Sequence, residues 1–212
     1  MAPILYLKAY NFSMILGWSF ILAIYFIKGF STGFDAETMY QSMAIPLAIF
    51  QYGAVLEIFH SIFKWVKSPL MTTVTQVFSR VVLVFVLEFV PESRKFGLIL
   101  LGFAWSLTEV IRYSFYFIKL MGFQTPYALL WCRYSFFIFL YPMGVSGEVI
   151  TLCYTLVKYR TNIIVVVVLV ALILYYIPGL KTLYTYMLKQ RRSVLGSGNQ
   201  NVPVKKEEKK TN

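Results

Sequence analysis

The chain has 212 residues, 58% of them hydrophobic and 14% charged, with a formal net charge of +11. A charged share so far below a quarter excludes an ordinary soluble domain and leaves an integral membrane protein. The positive excess gathers at the C-terminal end, at Lys189, Arg191, Arg192, Lys205, Lys206, Lys209 and Lys210. No nucleic-acid-binding motif accompanies these residues, so a basic membrane flank accounts for them and nucleic acid is not expected as a partner.

A helix needs about 20 mainly apolar residues to cross the hydrocarbon core of a bilayer. Six stretches qualify, at 11–29, 42–63, 70–90, 97–118, 128–157 and 163–187. The connectors between them, KGFSTGFDAET, KWVKSP, PESRK, KLMGFQTP and KYRTN, are short and rich in charge or turn residues, which makes neighbouring helices antiparallel. The predicted fold class is therefore all-α: a polytopic membrane protein with six transmembrane helices in one bundle and an interior polar cavity. This domain is assigned to residues 1–192. The remainder, 193–212, has the polar composition SVLGSGNQNVPVKKEEKKTN and is expected to be a disordered basic cytosolic tail. An even number of spans puts both termini on one side, and the basic tail assigns that side to the cytosol. The closing KKTN resembles the dilysine signal that returns membrane proteins to the endoplasmic reticulum.

Taken in chain order, the spans carry Glu57 and His60, Gln76 and Arg80, Glu109 and Arg112, Arg133, and Glu148. An ionisable group near the bilayer centre costs at least about 2.5–3.5 kcal/mol, so these side chains are expected to face the bundle interior or to reach an interface. Glu57 and His60 are three residues apart, as are Glu109 and Arg112, and Gln76 and Arg80 are four apart, so each pair shares a helix face. Glu109 and Arg112 read as a neutralising pair, and Gln76 and Arg80 as an extension of the same polar network. The two cysteines, Cys132 and Cys153, lie in apolar sequence without a CxxC spacing, and His60 is the single histidine. Neither a disulfide framework nor a metal site is expected, and no cofactor is called for.

The fifth span contains LYPMGVSGEV, in which Tyr141 and Glu148 stand seven residues apart, close to two helical turns. Pro142 favours a kink, and Gly144 and Gly147 allow another backbone or a ligand to come close. A phenol and a carboxylate on one face could line a chamber with a proton donor and a proton acceptor. The spacing alone also permits a structural reading, in which Tyr141 caps a kink and Glu148 pairs with Arg133 or Arg112.

Four blocks taken together add a resemblance: LEIFHSIFKWVKSPLMTTVTQVFSR at 56–80, WSLTEVIRYSFYFIKL at 105–120, LLWCRYSFFIFLYPMGVSGE at 129–148 and YIPGLKTLYTYMLKQRR at 176–192. In order and spacing they resemble the membrane 3-hydroxyacyl-CoA dehydratases of fatty-acid elongation. The resemblance implies a six-helix enzyme of the endoplasmic reticulum that converts 3-hydroxyacyl-CoA to trans-2-enoyl-CoA, the third step of the very-long-chain elongation cycle. It implies a catalytic pair at Tyr141 and Glu148, and other elongation enzymes, the condensing enzyme and reductases, as partners beside membrane lipid. With Glu148 as base at the α-carbon and Tyr141 as donor to the departing hydroxyl, or with these roles exchanged, both proton transfers of a dehydration are provided for. Lys64, Lys67 and Lys119 are candidates to meet the CoA phosphates by charge complementarity. A glycine is expected at position 64 from the resemblance, and this chain has lysine there. The family is also labelled phosphatase-like, but Cys153 and Arg160 have six residues between them rather than the five of a cysteine-phosphatase loop, and a preceding histidine is missing. Cysteine phosphatase chemistry is rejected on that ground. A scaffold that keeps the fold without the activity, or a small transporter, would share the polar interior but would not require both Tyr141 and Glu148.

Overall fold

Residues 3–196 are described by a computed structural model of the chain, and among them there is no β-strand. Lys205, Lys206, Lys209, Lys210, the KKTN end and most of the expected tail lie outside the described residues. Helix α1 (Ile4–Thr32) stops at Gly33, which takes the left-handed φ of 63° that a closing glycine adopts freely. Helix α2 (Ala36–Gly53) starts behind Asp35, whose side chain accepts a hydrogen bond from the Thr38 amide. Bonding from Thr38 holds the Asp35 carboxyl below its usual range.

A short break at Ala54 and Val55 separates α2 from α3 (Leu56–Ile62), and the two together make one crossing. Helix α4 (Leu70–Phe89) is joined by a 3-10 turn at Pro91–Ser93 to α5 (Phe96–Met121). Next come α6 (Tyr127–Ser135), α7 (Phe137–Lys158) and α8 (Ile163–Gly196). Among the described residues six units are long and apolar enough to cross a membrane: α1, α2 with α3, α4, α5, α7 and α8. This is the predicted all-α polytopic architecture. Helix α8 continues to Gly196, past the domain limit expected at Arg192.

The fifth predicted span is interrupted for one residue, in the turn ahead of Pro142. Helix α7 runs through Pro142 without interruption, and the discontinuity from α6 falls at Phe136. Proline has no amide to offer the carbonyl of Ile138 four residues earlier, and its ring crowds that carbonyl. The irregularity is thus passed back into the preceding turn.

Helix α5 occupies the centre, packed between α1 and α7, while α8 lies outermost and rests on α6 and α7. Its own Leu98, Leu101 and Trp105 are buried among Trp18 and Ile21 of α1, Met43 and Leu47 of α2, and Leu83 and Leu87 of α4. The outer surface carries Phe30, Ile45, Phe139, Ile163 and other exposed apolar side chains, as lipid requires. Between lipid-embedded helices there is little hydrophobic drive, so association depends on close packing and interhelical polar contacts.

The closest approach is between α5 and α7 at Gly97 and Gly147. A Cβ on Gly147 would stand 2.6 Å from the Gly97 carbonyl oxygen, and a Cβ on Gly97 would stand 2.6 Å from the Gly147 carbonyl oxygen. One turn away, Gly144 faces Ala104 and Trp105. These glycines therefore admit a neighbouring backbone. Gly147→Ala is expected to destabilise the bundle by about 3 kcal/mol, the upper end of overpacking, because backbone cannot step aside as a side chain does. Thermal unfolding of the purified protein in detergent measures this, and an unchanged melting temperature would refute the contact.

Lys64 closes α3 with φ of 56°, a left-handed conformation that costs a non-glycine residue about 1–2 kcal/mol. This gives a physical reason for the glycine that the resemblance leads one to expect there. Lys64→Gly should raise stability by up to about 1 kcal/mol, offset in part by the greater freedom of an unfolded glycine. The same melting experiment checks the sign.

Candidate active site

Two polar clusters meet at α5. The first lies toward the end of the bundle where α1 begins. Glu109 of α5 and Glu57 of α3 are bridged by Arg112, whose Nε donates to Glu109 Oε2 at 2.7 Å and whose Nη1 and Nη2 donate to Glu57 Oε2 and Oε1 at 2.7 and 2.8 Å. Arg80 of α4 forms a second ion pair with Glu109. Two carboxylates and two guanidinium groups thus form a neutral chain across three helices, with Glu109 almost fully buried. Fork-shaped pairing of this kind supplies directed bonds as well as charge balance.

Hydroxyl groups complete the chain. Tyr113 donates to Glu57 Oε1, and the Tyr10 hydroxyl lies 3.4 Å from the same oxygen. His60 is buried but stands outside the ion chain: its Nε2 is 3.0 Å from the Tyr6 hydroxyl, and its ring meets Tyr10 edge-on.

The second cluster surrounds Glu148. Trp105 of α5 donates from its indole Nε1 to Glu148 Oε1 at 2.9 Å, and Tyr176 of α8 donates to Oε2 at 2.6 Å. Both donors come from other helices, so the carboxylate is held from two sides. The alternative pairing of Glu148 with Arg133 or Arg112 does not occur. Each carboxylate oxygen keeps a further lone pair for a proton or a ligand. Because α7 is continuous from Phe137, Tyr141 and Glu148 share one face and differ by a rise of about 10 Å. The Tyr141 phenol is half-buried and, among the described residues, makes no hydrogen bond. Tyr141, Glu148, Tyr176 and Arg80 lie within electrostatic range of one another.

Arg80 joins the clusters, since its guanidinium pairs with Glu109 and lies 5.5 Å from the centre of the Trp105 ring. Arg80 stands out in the sequence as a charge within a span, whereas Trp105, Tyr176, Tyr10 and Tyr113 carry no such mark. Trp105 and Tyr176 stand at the starts of two of the quoted blocks, and Trp105 is one turn before Glu109, which was the available signal.

Other expected residues fall outside the two clusters. Gln76 is exposed and makes no side-chain hydrogen bond, so it does not extend the network. Arg133 lies 5.9 Å from the Tyr116 ring centre, away from both carboxylates. Lys64 and Lys67 are exposed on the α3–α4 connection, and Lys119 extends over the Phe115 ring at 4.3 Å. No group of three or more histidine, cysteine, aspartate or glutamate side chains with metal-binding geometry is found among the described residues. Cys153 lies within α7, and Arg160 follows the helix end, so they do not form a phosphate-cradling loop. Bonded side chains fill the first cluster, and two clefts open beside α8. One, of about 240 Å³, is lined by Pro142, Ile177, Leu180, Lys181 and Tyr184, and the other, of about 370 Å³, by Tyr127, Trp131, Arg191, Arg192, Leu195 and Gly196.

At the far end of the bundle, buried Arg94 locks the 3-10 turn to α2. It donates to Glu37 and to the carbonyls of Leu87 and Glu88, and its guanidinium covers the Tyr40 ring at 4.0 Å.

Comparison with known sequences gives a consistent result. The sequence model of a family described as protein tyrosine phosphatase-like protein, PTPLA, matches residues 51–197. The chain is similar to a Caenorhabditis elegans protein named very-long-chain (3R)-3-hydroxyacyl-CoA dehydratase hpo-8, with 43% identity over 92% of this chain and 96% of that one. It is 37% identical to human very-long-chain (3R)-3-hydroxyacyl-CoA dehydratase 2, over 90% of this chain and 80% of the relative. It is 34% identical to the Arabidopsis thaliana dehydratase PASTICCINO 2, over 90% and 92% of the two chains. No solved structure matches the chain significantly.

Proposed function

The chain belongs to the protein tyrosine phosphatase-like family, and we propose that it removes water from a 3-hydroxyacyl-CoA to give the trans-2-enoyl-CoA in the third step of very-long-chain fatty-acid elongation. The relatives' names supply the reaction. The observation that carries its assignment to a site is a buried carboxylate, Glu148, aimed by two donors, on the same helix face as the unbonded hydroxyl of Tyr141.

Dehydration breaks a C–H bond beside the thioester carbonyl and a C–O bond at the next carbon. The electron pair from the first becomes the new double bond, and the hydroxyl leaves as water once it is protonated. In our assignment Glu148 accepts the α-proton and Tyr141 delivers a proton to the departing oxygen. A phenol with an ordinary pKa near 10 holds its proton at neutral pH, which suits the donor role. Trp105 and Tyr176 do not transfer protons in this scheme; they fix the direction of the carboxylate. Proton return from Glu148 to Tyr141 after water leaves would reset the pair.

The proposed setting is the endoplasmic reticulum membrane, with both termini in the cytosol and the acyl tail among apolar side chains of the bundle. The other enzymes of the elongation cycle are the proposed partners. Purified protein in detergent, given 3-hydroxyacyl-CoAs of graded chain length and monitored for the enoyl product, tests the activity. Conversion that rises with chain length supports the reading, and the absence of enoyl product at every length overturns it.

A further inference from the structure

Helix α8 rests chiefly on α6 and α7, and both clefts lie on that seam. We propose that the seam is the binding groove for the CoA part of the substrate, with Arg191 and Arg192 meeting the phosphates and Tyr127 and Trp131 holding the adenine ring. The proposal rests on the dehydratase reading and adds to it where the nucleotide is recognised.

The wider cleft has the chemistry of a nucleotide site. Tyr127 and Trp131 are four residues apart on α6, so their rings share a face, and both are exposed. Such surfaces accept a purine by stacking. Across from them, Arg191 is anchored through its Nε to the hydroxyl of buried Ser135 at 3.2 Å. This leaves its two terminal nitrogens free to donate to phosphate oxygens, in the geometry that favours arginine over lysine for phosphate recognition. Among the described residues neither arginine is paired with a carboxylate.

The order of features along α8 matches the order of groups in an acyl-CoA. From Arg192 to Tyr176 the helix rises about 24 Å. The basic and aromatic cleft comes first, then the mainly apolar cleft at Pro142, Ile177, Leu180 and Tyr184, and then Tyr176 with its bond to Glu148. Nucleotide phosphates, pantetheine arm and thioester would occupy these in turn, which delivers the reacting carbons beside Tyr141 and Glu148. Lys64, Lys67 and Lys119 line neither cleft. The groove therefore moves the expected phosphate contacts from those lysines to the end of α8.

The test compares two thioesters of one 3-hydroxyacyl group, on CoA and on pantetheine, with the full-length protein in lipid nanodiscs. For Arg191→Ala/Arg192→Ala, the ratio of kcat/KM for the CoA ester to that for the pantetheine ester should fall about tenfold, through KM. Adenosine 3′,5′-bisphosphate should inhibit the parent competitively and the double variant about tenfold less well. Arg192→Gln alone removes an exposed side chain with no bond among the described residues, and it should show a smaller fall even if the double variant is poorly folded. Lys189→Ala, an exposed cation on the same helix outside the groove, should leave the ratio unchanged. An unchanged ratio in Arg192→Gln, or an equal fall in Lys189→Ala, overturns the groove while leaving the dehydratase intact. Failure of the parent to dehydrate either ester overturns the dehydratase reading and the groove together.

Discussion

Glu148→Gln should dehydrate 3-hydroxyacyl-CoA about 1,000-fold more slowly than the parent, within the range typical of removing a general base. The substitution preserves size and shape. An amide oxygen still accepts from Trp105, and the amide can face the Tyr176 hydroxyl, so the packing around position 148 survives while the proton acceptor is lost. Tyr141→Phe should cost about 100-fold, since it removes one hydroxyl that makes no bond among the described residues and leaves the ring in place. Steady-state formation of the enoyl product measures both, with melting temperatures to show that each variant is folded. Near-normal turnover by either would remove that residue from the mechanism.

The same variants separate the two roles. A saturated acyl-CoA has an α-proton but no 3-hydroxyl, so exchange of that proton with deuterated water needs a base and no leaving-group acid. If Glu148 is the base, Tyr141→Phe retains exchange and Glu148→Gln abolishes it. The opposite pattern would exchange the assignments. The measurement bears on bond order as well, because exchange without elimination shows that the C–H bond can break before the C–O bond does.

Features that one helix decides are legible in the sequence, and features that two or more helices decide are not. Six apolar stretches were visible because bilayer thickness sets a length. Tyr141 and Glu148 were found on one face because seven residues return a helix nearly to the same azimuth. Glu109 and Arg112 were readable for a similar reason, at a spacing of three. Gln76 had an equally suitable spacing from Arg80, yet it is exposed, since azimuth does not say whether a neighbouring helix covers that level. Trp105 and Tyr176 were missed because their value lies in reaching a carboxylate on a third helix, which no local pattern encodes. The glycines at 97 and 147 show the same limit. Their presence signalled a close approach, and only the packing identified the partner as backbone.

Arg112→Met should destabilise the protein by about 3–5 kcal/mol, the cost expected when one partner is removed from a buried ion network. Three bonds to two carboxylates disappear together. Glu109 retains Arg80, but Glu57 is left with only tyrosine hydroxyls in a largely buried place. Adding Glu57→Gln removes the charge that Arg112 had balanced and leaves Arg80 and Glu109 as a neutral pair. The double variant should therefore recover a substantial part of the loss, and the two substitutions should be strongly non-additive. Melting temperatures of the parent, both single variants and the double variant complete the cycle. Strict additivity, or an Arg112→Met protein as stable as the parent, would show that these charges are solvated rather than mutually dependent. A loss of activity in Arg112→Met beyond its loss of folded protein would indicate coupling to Glu148 through Arg80 and Trp105, because that chain of contacts is where the two clusters meet.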